Sequence, residues 1–154
     1  MGTRLIIAVI VLATNVACIH KQSGTVSPWE RVNVNMAALA QINDDVAKGI
    51  IAVQQAGTIS AQQAAPILSY QETVAKDHMV IENIFAAGSA QASSRATQIE
   101  GLLHEIKNQG TLLIEEGGLG VKNPKSQQSF TQDLQGIVNL AEVVLADYHL
   151  AKGN

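Results

Sequence analysis

The sequence predicts an all-α fold, an antiparallel up-down-up-down four-helix bundle following an N-terminal signal or anchor segment. Three observations lead to it. Apolar residues recur at alternating steps of three and four through four long stretches. Capping residues open most of these stretches and glycines close them. No stretch alternates at period two with β-branched residues except the short run Val32-Asn33-Val34-Asn35, which the cap upstream of it assigns to a helix.

The first helix is expected to start at Ser27-Pro28-Trp29-Glu30, where a serine N-cap, a proline at the first helical position and a glutamate at the third satisfy orphan backbone donors. Its stripe is Val32, Met36, Leu39, Val46, Ile50 and Val53, with Asn43 filling one place, and Gly57 supplies the stop. Ser60-Ala61-Gln62-Gln63 opens the second helix as a capping box, with Ile59 as its hydrophobic staple. So tight a connection forces a hairpin. Pro66 lies in the second turn and predicts a local kink, after which Ile67, Gln71, Val74, His78, Ile81 and Phe85 line one face as far as Gly88.

Ser89, Ser93 and Ser94 compete to cap the third helix, whose stripe is Ala92, Ala96, Ile99, Leu103, Ile106, Gly110 and Leu113, ending at Gly117-Gly118. Residues 117–122 form the longest loop, and Asn123-Pro124 caps the fourth helix, which carries Phe130, Leu134, Ile137, Ala141, Val144, Tyr148 and Ala151. Four helices of about 26 to 29 residues, each ~40 Å long, joined by short turns, specify the bundle. Met36 and Met79 are expected as pliable core filling. Gly49, Gly101, Gly110 and Gly136 each cost about 1 kcal/mol relative to alanine in a helix, so a close-packing role is expected of them.

Upstream of the bundle, Arg4 precedes an apolar run over residues 5–13 and then Asn15-Val16-Ala17-Cys18. A positive start, a short apolar stretch and small residues before a cut site are the requirements of an export signal. The apolar stretch is shorter than the roughly 20 residues that span a ~30 Å hydrocarbon core. Val16-Ala17-Cys18 resembles the lipobox of bacterial lipoproteins, although Asn15 stands where that family usually has an apolar residue. The resemblance covers the signal alone. It implies cleavage before Cys18 and acylation of its sulfur and new amino group, which would hold the protein on a membrane of the bacterial cell envelope, facing the periplasm or the exterior. Ordinary cleavage after Ala17 and an uncleaved anchor are the alternatives. The expected organisation is a signal peptide at 1–17, a lipidated cysteine and polar tether at 18–26, and the bundle at 27–154.

Cys18 is the single cysteine, so no intrachain disulfide forms and the fold rests on its core. Loss of Arg4 with the leader takes the formal charge from −3 to −4, and the remaining basic residues are scattered singly. With one Trp, two Tyr and two Phe, there are neither the clustered cations nor the stacking platforms that nucleic acid requires.

Candidate chemistry is confined to polar residues inside the stripes: Asn43, Gln71 and His78. Counting from the turns places His78 level with Leu39, Ile99 and Ala141, with Glu82, Glu100 and Glu142 on neighbouring positions, so a histidine with carboxylates is one metal-binding arrangement to consider. The repeated Glu-x-x-His of di-metal bundles is missing, and a hydrogen-bonded core histidine is the plainer expectation. Asn43 and Gln71 read as polar insertions that select register and oligomeric state, ahead of a ligand-binding amide pair. His104 is expected on the surface, paired with Glu100 at the i,i+4 spacing, as are Asp44 with Lys48 and Glu72 with Lys76. Asp44-Asp45 and Glu115-Glu116 point about 100° apart and do not converge. No nucleophile has a matched base, so the chain is expected to be no enzyme and to need no cofactor. Its expected role is a non-catalytic binding or scaffolding protein, with a protein partner or a second copy of itself as occupant; the alternative is a metal or small-ligand carrier using the polar core residues.

Overall fold

The computed structural model describes residues 26–116, 121 and 124–153 of the 154-residue chain. Among them there is no strand, and five helices follow one another: α1 (Pro28–Gln55), α2 (Ala61–Ala86), α3 (Ser89–Ser94), α4 (Ala96–Glu115) and α5 (Pro124–Ala151). The leader, Cys18, most of the glycine loop and the Asn123 cap lie outside the described residues.

The local signals act as their chemistry requires. The Glu30 backbone N–H donates to Ser27 Oγ at 3.2 Å, and Pro28 occupies the first turn without forfeiting a bond. At the far end of α1, Gly57 takes φ +72°, and the N–H groups of Gly57 and Thr58 donate to the carbonyls of Gln54 and Val53, both at 2.9 Å. This glycine cap satisfies carbonyls that the helix leaves open. Ser60 and Gln63 then cap α2 reciprocally, the Gln63 N–H donating to Ser60 Oγ and the Ser60 N–H to Gln63 Oε1. Pro66 sits inside α2, which runs on to Ala86, and Gly88 at φ +97° ends it.

The third predicted helix is divided. Its first turn and a half is α3, and α4 begins only after Arg95, whose φ of −109° and ψ of 24° leave the helical region. Ser94 Oγ donates to the Gln91 carbonyl at 2.9 Å, an interaction by which serine offers the backbone an alternative to the helix ladder. The helix restarts from the Arg95 carbonyl, which accepts from the N–H groups of Gln98 and Ile99.

Each long helix packs on two others, α1 on α2 and α5, and α4 on α2 and α5. The predicted stripes supply the contact surfaces: Val32, Met36, Leu39 and Ile50 from α1, Ile67, Val74 and Ile81 from α2, Ile99, Leu103 and Ile106 from α4, and Leu134, Ile137 and Val144 from α5 are buried in one core. Removing each such side chain from water contributes about 1.5–3 kcal/mol. Trp29 joins the stripe residues Phe85 and Tyr148, the three rings meeting edge-on or tilted at 5.8–6.1 Å between centroids and joining the start of α1 to the ends of α2 and α5. The Tyr148 hydroxyl donates to the Ala92 carbonyl at 2.9 Å and fastens α3 to α5.

Two packing expectations are corrected. Met36 is buried, but Met79 is 61% exposed, because His78 takes the inward position and the next residue lies about 100° further round the helix. Of the four helical glycines, only Gly110 has a packing cause: a Cβ there would lie 2.6 Å from both Tyr70 Oη and Val138 Cγ2, whereas Gly49, Gly101 and Gly136 have nothing within 4 Å.

Candidate functional site

The three polar interruptions of the stripes come together between α1 and α2. Asn43 projects from α1, and Gln71 and His78 from α2, and all three line one open groove of about 420 Å³. The capped turn at residues 56–60 explains the arrangement: it returns α2 along α1, so Asn43 reaches a residue 28 positions ahead and Met36 one 42 positions ahead. Ala40, Ala47 and Ala75 keep the walls low, Leu68 and Val74 make them apolar, and the exposed thioether of Met79 closes one side.

Two hydrogen bonds cross this groove in opposite senses. Asn43 Nδ2 donates to the Gln71 carbonyl at 3.1 Å, and His78 Nε2 lies 3.0 Å from the Met36 carbonyl. A carbonyl only accepts, so the His78 proton on Nε2 is the one engaged. Each helix thus donates a side chain to the other's backbone, which ties their axial register. The predicted amide pair does not form, since Asn43 bonds to the backbone of Gln71 and not to its side chain. Both side-chain atoms of Gln71 and Asn43 Oδ1 are buried without a hydrogen-bond partner in the protein.

The carboxylates considered for a metal do not gather around His78. Glu82 is 3.6 Å from His78 Nε2 and largely exposed; Glu142 pairs with Lys107 at 2.8 Å; Glu100 accepts from His149 at 3.1 Å and from Lys152. Among the described residues no cluster of three or more His, Cys, Asp or Glu side chains has the spacing of a metal site. Glu100 therefore faces α5 and not His104, the partner expected from spacing. Its lowered pKa follows first from the Lys152 hydrogen bond, then from the charge of Lys152 and the His149 contact, against the opposing effect of burial. The surface pairs Asp44–Lys48 and Glu72–Lys76 form as expected.

Two buried polar residues escaped the stripe reading. Asn35 donates to Asp147 Oδ2 at 2.8 Å, beside the Arg31 Nε to Asp147 Oδ1 ion pair at 2.9 Å. Asp77 is buried with Oδ2 unpartnered, and burial, reinforced by the charge of Glu105 on α4, pushes its carboxyl up to about 6. Both stand one residue before a stripe position, at Met36 and His78; allowing a broad apolar face instead of a single line would have marked them.

Comparison with protein-family models, with curated proteins and with solved structures finds no match to this chain. Among the described residues no helix is long and apolar enough to cross a membrane.

Proposed function

We propose that the chain is an exported, non-catalytic binding protein of the bacterial cell envelope, anchored through acylated Cys18, whose α1–α2 groove is its binding face. The four long helices are read as an antiparallel up-down-up-down bundle that holds this groove rigid. The ring cluster of Trp29, Phe85 and Tyr148 supports that topology, because it gathers the start of α1 with the ends of α2 and α5. The leader composition and the lipobox-like Val16-Ala17-Cys18 support the address.

One observation carries the binding role: Gln71 is 3% exposed, lines an open groove, and leaves both polar atoms of its side chain without a partner. Burying an amide without hydrogen bonds costs about 1–3 kcal/mol, a cost that a bound group offering both a donor and an acceptor would remove. The carrier reading is favoured in its small-ligand form, since Glu100 and Glu142 are engaged by lysine and histidine partners away from His78.

The address and the groove are tested separately. Cys18→Ala should move the protein from the membrane to the soluble fraction and remove the acyl mass from its N-terminus; unchanged fractionation would defeat the anchoring role. Ala75→Trp fills the groove from an exposed position without touching the core. It should abolish whatever association the membrane-bound protein makes while leaving its melting temperature in place. Undiminished association would remove the groove from the role. Light scattering that shows a strict monomer at high concentration would exclude a second copy as occupant.

A further inference from the structure

We infer that the α1–α5 face, at the end of the bundle where the tether enters, is a membrane-contact surface whose apolar side chains rest among the headgroups of a zwitterionic bilayer. The inference rests on the acylated anchor at Cys18. Eight residues separate Cys18 from Ser27, the N-cap of α1. Fully extended, such a segment reaches at most about 30 Å, and as a flexible coil it spans about 16 Å. An anchored chain therefore keeps the start of α1 beside the bilayer, at an effective concentration that lets weak contacts persist.

The apolar side chains at this end gather on one face. Arg31 and Asn35 of α1 both donate to the Asp147 carboxylate of α5, so these residues mark where the two helices meet. Val34 follows Arg31 by three residues, and Val143 and Leu150 flank Asp147 by four and three, which by helical spacing puts all three beside that network. Val34 is 49% exposed, Val143 39% and Leu150 56%, and Ala146 between the last two is exposed as well. Apolar residues scattered singly over a surface need no explanation, whereas a group across one helix pair calls for a partner. The Arg31 bond uses Nε and leaves 40% of the side chain exposed, so its stem can lie along the apolar group while its terminal N–H donors meet lipid phosphate and ester oxygens.

Charge and area decide the occupant. Arg31 is offset by Asp147 and Lys152 by Glu100, and Glu30 is exposed one turn before Val34, so the face has no excess positive charge with which to select anionic lipid. Contact with a zwitterionic surface needs none. A second copy of the chain is the less suitable occupant, because three partly exposed side chains fall well short of the ~800 Å² per partner that a stable interface buries. The opposite end of the bundle carries the exposed pair Glu115 and Glu116, which favours water over lipid there. Since α2 packs on α1 and α4 but not on α5, resting on the α1–α5 face keeps α2 on the aqueous side and leaves the α1–α2 groove open.

The test places a nitroxide on the membrane-bound full-length protein in phosphatidylcholine vesicles, through Val34→Cys, Val143→Cys or Leu150→Cys in turn. Ile51→Cys and Leu112→Cys, 43% and 55% exposed in the native protein, label the opposite end. Collision with a water-soluble nickel chelate is expected to be at least about threefold rarer at the first three positions than at the last two, with oxygen collision correspondingly favoured. Vesicles containing phosphatidylglycerol should give the same ratio. Val143→Asn with Leu150→Asn should restore chelate access to the Val34→Cys label without changing the melting temperature or releasing the protein from the membrane. Equal access at all five positions in a membrane-bound protein would overturn the contact surface and leave the anchor standing. Shielding that requires phosphatidylglycerol, that appears at Ile51→Cys or Leu112→Cys, or that grows with the protein-to-lipid ratio would overturn it in favour of charge attraction, another orientation or a second copy. Recovery of the protein in the soluble fraction would defeat both the contact and the anchor beneath it.

Discussion

Asn43 and Gln71 stand opposite one another across the α1–α2 contact, yet only one of the two side chains makes a hydrogen bond: Asn43 Nδ2 donates to the Gln71 carbonyl at 3.1 Å, and the Gln71 side chain reaches no partner. A register device and an unmet hydrogen-bonding capacity thus sit side by side, and substitutions at the two positions should have opposite signs. Gln71→Leu exchanges two unpaired buried polar atoms for apolar ones of similar shape and should stabilise the fold by about 1–2 kcal/mol in chemical denaturation. Asn43→Asp sets a carboxylate against a carbonyl and should destabilise it by about 2–4 kcal/mol. Equal effects of the same sign would contradict the asymmetry.

Gly110 separates close packing from mere helix weakening. Its Cβ would meet Tyr70 Oη, itself held at 2.9 Å to the Ile106 carbonyl, so the ring is not free to retreat. Gly110→Ala should cost about 1–3 kcal/mol despite the better helix propensity of alanine. Gly49→Ala, Gly101→Ala and Gly136→Ala meet nothing and should each stabilise by about 0.5–1 kcal/mol. Thermal melts of the four variants make the comparison.

Two carboxylates give the stability curve opposing pH slopes. Asp77, raised to about 6 by burial and by Glu105, binds its proton more tightly folded than unfolded. Its contribution is full below the unfolded value of 3.8 and disappears as pH climbs through about 6. Asp77→Asn should therefore raise stability at pH 7.5 by about 1–2 kcal/mol and flatten the slope between those limits. Glu100 is shifted the other way, chiefly by Lys152, so its contribution is present above the unfolded value of 4.5 and is lost as pH falls through the lowered folded value. Glu100→Gln should remove that acid-side loss. Melting temperatures measured across pH in the two variants separate the slopes.

One hydroxyl links α3 to α5. Tyr148→Phe keeps the ring against Trp29 and Phe85 but removes the donor to the Ala92 carbonyl, and should cost about 1 kcal/mol. Amide exchange should quicken in Ser89–Ser94 and stay unchanged at the centre of α5. Uniform acceleration would show that the hydroxyl supports the whole core.

Helix positions, caps and inward faces were legible in the sequence, because caps and the 3.6-residue period are local: Ser27 with Glu30, Ser60 with Gln63 and the run from Phe130 to Tyr148 each carry their own instruction. The polar interruptions Asn43, Gln71 and His78 were legible for the same reason, as breaks in a regular pattern. What they touch was not. The partners of Glu100 and the close approach at Gly110 depend on the rotation and axial offset of one helix against another, where one residue of displacement turns a side chain by about 100°. The break at Arg95 was hidden by an uninterrupted apolar period, since serine side chains compete with the backbone without altering the stripe. The sequence by itself determined where the helices lie and which faces turn inward, through interactions spanning three or four residues; the tertiary structure alone decided which buried polar groups meet and which stay unpaired, because those distances are set by packing between distant segments.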